Sequence, residues 1–152
     1  MKQICHINPE GTYNSLQTRG YTQVVTFDGP GRMIFVSGQL PLDMSGAVIG
    51  ANDIERQARV VFENLKRSLR SAGAEMIHVV KLTTYVTDIV NHPPLVRKVR
   101  AELFGTQTPP ASTMVEVPRF AHPDIMIEVD AVATCEVVSE SPISRRLETR
   151  AR

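Results

Sequence analysis

Apolar and polar positions first settle into a regular pattern at "VVTF", Val24–Phe27, and again at "MIFVSG", Met33–Gly38. The intervening "DGPGR" places Gly29, Pro30 and Gly31 between two extended runs, which predicts a hairpin. "MSGAVIG", 44–50, predicts another turn and a short strand. Over "NDIERQARVVFENLKRSLRSAG" the period lengthens, and Ile54, Ala58, Val61, Leu65, Leu69 and Ala72 fall on one stripe of a helix. Asn52 is the expected N-cap, with Glu55 closing a capping box, and Gly73 stands where a left-handed residue ends such a helix. Arg56, Arg59, Glu63, Arg67 and Arg70 form its solvated face.

"HVVKLTTYVTD", 78–88, alternates and is rich in β-branched residues, so it predicts a strand. Pro93 and Pro94 suit the first turn of a second helix, with Leu95, Val99 and Leu103 as its stripe and Gly105 at its end. The strand at 112–117 turns Ser112, Met114 and Glu116 one way and Thr113, Val115 and Val117 the other. In the final strand Ile125, Ile127, Val129, Ala131, Ala133 and Cys135 are expected to face the helices. Met126, Glu128, Asp130, Val132, Thr134 and Val138 fall on the other face, too apolar to be wholly wet and too acidic for a private core.

The order β-β-(β)-α-β-α-β-β predicts an α+β domain over 1–138, with two helices packed on one face of the sheet. The half-apolar far face predicts a subunit interface, hence an oligomer. The segment 139–152 lacks apolar periodicity and reads as a C-terminal tail. Its four arginines could meet acidic partners, but two glutamates dilute them.

Composition narrows the function classes. A chain of 152 residues with 42% hydrophobic residues can bury a core without staples. Seventeen basic against 16 acidic residues leave a net charge of +1, so no strong field points to nucleic acid or a membrane. Aromatics at 5%, without tryptophan, argue against a stacking platform for single strands. Cys5 and Cys135 have no redox or metal spacing, and no long apolar run is present, which makes a cytoplasmic home the expectation.

His6, His78, His92 and His122 form no metal-ligand spacing, so no metal is expected. No nucleophile elbow, phosphate loop or dinucleotide fingerprint occurs. Cys135, on an apolar strand face, reads as a small core residue. Glu128 is the acid to single out. Mid-strand and near an expected interface, it would have its pKa raised by burial, which suits proton transfer. A structural rim carboxylate is the competing reading.

"IFVSGQLPLD", "HVVKLTTYVTD", "PASTMVEVPRF" and "IMIEVDAVA" resemble, in order and spacing, the Rid family (reactive intermediate deaminase, YjgF type), over about residues 20–135. The resemblance implies a Bacillus chorismate mutase-like fold, a six-stranded mixed sheet with two helices on one face. It also implies a homotrimer with small-molecule clefts between subunits. The implied chemistry is hydrolysis of enamines and imines to 2-keto acids and ammonia, without a cofactor. Glu128 matches the acid that holds or activates water, Tyr21 a cleft tyrosine, and Ser37 with Gly38 the Ser-Gly pair lining the cleft.

The family pattern Pro-Ala-Arg-Ser-x-Val-Glu-Val here reads Pro110, Ala111, Ser112, Thr113, Met114, Val115, Glu116, Val117. Ser112 thus stands where the carboxylate-gripping arginine belongs, and Met114 where a cysteine is common; both are expected on the cleft face as substrate-binding residues. Without the arginine, activity on 2-imino acids is expected to be weak, unless Arg119 or Arg32 anchors the carboxylate, and Ser112→Arg is expected to raise it. Three readings remain open: a divergent imine or enamine hydrolase, a non-catalytic metabolite binder, and an RNA-acting or chaperone-like protein. Near-zero net charge weighs against RNA.

Overall fold

The computed structural model describes residues 3–7, 22 and 24–136. Strand β1 (Gln3–Ile7) precedes β2 (Val24–Asp28) and β3 (Arg32–Gln39). Helix α1 (Ile54–Ser71) follows, then a 3-10 turn (Met76–His78), β4 (Val79–Val86), α2 (Pro93–Phe104), β5 (Ala111–Glu116) and β6 (Ile127–Cys135). The α+β class with two helices and a mixed sheet is therefore present. Among the described residues the six strands form a four-stranded sheet of order β3-β6-β4-β5 and a two-stranded β1-β2 ladder, with an isolated parallel bridge from Thr22 to Ala111 of β5. β4 and β5 run parallel and the other pairs antiparallel.

Three local expectations are corrected. The Gly29–Gly31 turn joins β2 to β3 without making them a hairpin, because β2 pairs with β1, a five-residue strand too short to announce itself by periodicity. Over 44–50 no strand forms. Asp43 Oδ1 accepts from Ser45 N (2.8 Å), Ser45 Oγ (2.6 Å) and Ala47 N (3.0 Å), so a side chain takes donors a ladder would need, leaving an isolated Leu42–Val48 bridge. At α1 the cap is Asp53, whose carboxylate accepts from Arg56 N at 3.0 Å, because Asn52 has turned to φ 60°. Gly73, at φ 79°, ends that helix as expected.

The core lies between the helices and one sheet face. Val61, Phe62, Leu65 and Leu69 of α1 are fully buried with Leu82 of β4 and Val129 of β6. All six residues from Ile125 to Cys135 assigned inward are buried. In α2 the inward stripe is Val96, Val99, Arg100 and Phe104, while Leu95 is exposed; the helix is rotated from the expected register and turns a guanidinium toward the sheet. Met126 precedes β6 and packs against the core, so it does not share the far face with Glu128.

Gln57 gave no apolar signal in the sequence, yet it is fully buried. Its Nε2 donates to Gly50 O (3.1 Å) and Asp124 O (2.6 Å), and its Oε1 accepts from Met126 N (2.8 Å). One amide thereby fixes the loop that launches β6, and with it the position of Glu128. Gln57→Leu keeps the volume but leaves three part-buried backbone groups without this partner, so a loss of about 2 kcal/mol in urea unfolding is expected.

Candidate functional site

On the sheet face away from the helices, β4 and β6 place Tyr85 opposite Glu128 and Thr83 opposite Asp130. Tyr85 donates its hydroxyl to Asp130 Oδ2 at 3.0 Å. Tyr85, Val117, Arg119, Phe120, Glu128 and Asp130 line a cleft of about 220 Å³. Room for roughly seven waters limits it to a small ligand. A larger groove of about 500 Å³ runs along the outer side of α1 past Met44, Val60 and Arg67, and none of the candidate site residues lines it.

Burial, reinforced by the Asp130 charge, pushes the Glu128 carboxyl above its ordinary value. The bond to Asp130 raises Tyr85, and burial lowers Lys81, whose ammonium bonds Thr113 on the same face. The cleft thus holds a carboxylate poised nearer neutrality, two further polar groups already bonded to each other, and a guanidinium.

Ser37 and Gly38 shape the space around that carboxylate. Between Val36, opposite Ala131, and Gln39, opposite Val129, the ladder admits both residues against Asp130 alone, a bulge. A Cβ at position 38 would overlap Glu128 Oε1 and Cδ, so the glycine lets the carboxylate lie over the backbone. Gly38→Ala is expected to swing Glu128 aside with little change in melting temperature, and to cost any reaction that uses this carboxylate about 10²-fold, the effect of displacements near 1 Å. Full activity in the alanine variant would separate the bulge from the chemistry.

Ser112 and Met114 lie elsewhere. The parallel register sets Ser112 beside Leu82 and Met114 beside Thr84, on the helix-facing side of the sheet. Ser112 Oγ accepts from Arg100 Nη1 at 3.1 Å, and Met114 packs against the core. Within a single chain, strand alternation puts Thr113 and Val115, rather than Ser112 and Met114, on the Glu128 side of the sheet. Burial and the like charge of Arg97 lower the Arg100 guanidinium from its ordinary value. Arg32 donates to Ala72 O at the end of α1 (3.1 Å), away from the cleft. Tyr21 lies outside the described residues. Its neighbour Thr22 is buried against the start of β5, bonding Pro110 O through N (3.2 Å) and Pro109 O through Oγ1 (2.7 Å).

Comparison with known proteins decides what this architecture is. The profile of the Endoribonuclease L-PSP family matches residues 12–135. A RutC family protein of Pyrococcus abyssi is 41% identical over 103 residues, 68% of this chain and 79% of that one. The chain belongs to the Rid family. Another member, the 2-iminobutanoate/2-iminopropanoate deaminase of Salmonella typhimurium, is 37% identical over 107 residues, 68% of this chain and 80% of its own. The crystal structure of the Rid protein YyfB from Yersinia pestis superposes with a TM-score of 0.77 at 31% identity, covering 87% of this chain and 98% of that one. Escherichia coli TdcF with bound serine gives 0.62 at 29% identity, covering 72% and 91%. In this Rid chain no described helix is long and apolar enough to cross a membrane. Sequence reasoning missed Tyr85, Asp130 and Phe120 as cleft residues. Alternation put Asp130 beside Glu128, but only strand order could bring in Tyr85 from β4.

Proposed function

We propose that the protein hydrolyses a small imine or enamine tautomer, with Glu128 as general base. The observation that carries this reading is the Glu128 carboxylate, raised by burial and laid over Gly38 in a cleft sized for a small metabolite. Water loses a proton to Glu128 as its oxygen bonds to the imine carbon, and the C=N pair moves onto nitrogen. Glu128 returns the proton to nitrogen, the C–N bond breaks to release ammonia, and the carbinolamine hydroxyl gives its proton to that ammonia as the carbonyl forms. An iminium and water become a carbonyl and ammonium. Charge and atoms balance with no cofactor.

The deaminase activity for which the Salmonella relative is named supports this reaction class. Ser37 and Gly38 form the cleft wall in this reading, with Tyr21 a substrate contact entering from the preceding segment. A homotrimer is part of the proposal. Phe35, 77% exposed, and Met33 lie on β3 opposite Val132 and Thr134, an apolar far face that copies of the chain would cover while walling the cleft. A non-catalytic binder is the second reading, favoured by the relative solved with serine bound. Against an RNA-acting role, 17 basic and 16 acidic residues give the chain no basic excess to hold phosphates.

The test generates imines in situ with an amino-acid oxidase and follows ammonia. Protein-dependent release above the spontaneous rate is expected for at least one small imine. No acceleration of any, with ligand binding retained, would leave the binder.

A further inference from the structure

We propose that Ser68 of α1 and Gln39 of β3 are positioning residues for Glu128, together holding the bulge over which its carboxylate lies. This rests on the reading of Glu128 as the base, and adds to it two residues, neither of which lines the cleft, that act only through that base.

A bulge takes backbone groups out of the ladder, and each then needs another partner. The carbonyl of Ser37 finds one in the side chain two residues on, where Gln39 Nε2 donates to Ser37 O at 3.0 Å. The other end of that amide is committed as well, since Ser68 Oγ donates to Gln39 Oε1 at 3.1 Å. One amide therefore ties the bulge to α1, whose Val61, Phe62, Leu65 and Leu69 are fully buried in a close-packed core that resists displacement. Gly38 is the next link. Its missing Cβ leaves the space that Glu128 Oε1 and Cδ occupy, so the carboxylate rests on this stretch of backbone. Among the described residues no hydrogen bond or ion pair holds the Glu128 carboxylate itself, which leaves the backbone beneath it to set its position.

The same side of α1 repeats the device. Gln57, Asn64 and Ser68 lie within about 40° of one another around the helix, at about 100° per residue. Asn64 Nδ2 donates to Leu40 O at 3.0 Å and to Leu42 O at 3.4 Å, just past Gln39. Gln57 holds Gly50 O and the loop that launches β6. Three polar side chains beside the apolar stripe thus fasten the chain that leaves the bulge and the chain that enters the strand of Glu128. A flank serving only solvation would be exposed, whereas Asn64 and Ser68 are half-buried and Gln57 is fully buried.

Ser68→Ala removes the tie without burdening the helix, since alanine is the better helix former. Gln39→Met keeps the length of the side chain and neither bond. Carbon-13 NMR of the carboxyl groups follows the titration of Glu128, its resonance assigned by its absence from Glu128→Gln. Asp130 of β6, Tyr85 and Lys81 of β4 and Arg119 are the other titratable groups on this face and in this cleft, and neither substitution touches them. In wild type the midpoint should lie above the ordinary carboxylate value. Each single variant should bring it down toward about 4.3 as the carboxylate gains solvent, with the double variant no lower than either. On any imine that wild type hydrolyses, kcat should fall about 10-fold at unchanged KM, less than in Gly38→Ala because the bulge loosens without being displaced. The titration needs no turnover, so a lowered midpoint in a protein that hydrolyses nothing sustains the positioning and removes the hydrolase reading alone. A wild-type midpoint in Ser68→Ala, shifts that add in the double variant, or a wild-type kcat beside a lowered midpoint would each overturn it.

Discussion

Replacement of Glu128 by glutamine is expected to lower turnover by about 10²–10⁴-fold, the range general acid–base assistance typically supplies. The amide preserves the size and most hydrogen bonding of the side chain but cannot take a proton from water, so ligand affinity and assembly should survive. The same variant has a second, oppositely signed signature. Burial and Asp130 raise the folded-state pKa of Glu128, so the ionised form is disfavoured in the fold. Stability tied to this group is complete below its unfolded pKa, about 4.3, and is lost as pH climbs to the folded value. At neutral pH wild type bears that cost and Glu128→Gln does not. The melting temperature of the variant should therefore exceed that of wild type at neutral pH, with the gap closing toward acid. A variant that is inactive and also less stable at every pH would make Glu128 a structural residue.

Ser112→Arg is expected to destabilise the protein by roughly 3 kcal/mol and to leave imine hydrolysis no faster. From the family pattern alone this change reads as a restoration. In the structure the position lies on the helix-facing side of β5, where Ser112 Oγ meets Arg100 Nη1 at 3.1 Å. A second guanidinium would sit against one already disfavoured by burial and by Arg97. Urea unfolding measures the loss, with Ser112→Ala as reference for the hydrogen bond alone. A stable arginine variant with raised activity on carboxylated imines would show that the β5 face opens to substrate in the assembled protein.

The α1 stripe and the inward face of β6 were legible because apolar periodicity alone decides them. Both were found where the pattern put them, from Ile54 to Leu69 and from Ile125 to Cys135. Glu128 stands out in the sequence as an acid mid-strand on a half-apolar face, but pattern alone leaves a structural rim carboxylate open, and only the family resemblance gives it a chemical role. Other features depend on what no local pattern encodes. The N-cap moved from Asn52 to Asp53 because both residue types cap equally well, and only the φ of 60° at Asn52 distinguishes them. α2 rotates to bury Arg100 in place of Leu95, and its Nη1 meets the Ser112 hydroxyl of β5, a long-range contact that helix periodicity does not encode. Strand alternation correctly separated Ser112 from Thr113, but which of the two faces Glu128 depends on the parallel register between β4 and β5.

Ammonia release from a carboxylated imine, followed from about pH 4 to pH 8, tests most directly whether Glu128 is the base in this cleft. Wild-type kcat/KM should rise with pH along one acid limb, whose apparent pKa lies above the ordinary carboxylate value of about 4.3. That limb should be missing from whatever rate Glu128→Gln retains. A glutamine variant with the wild-type rate and the wild-type limb would contradict it.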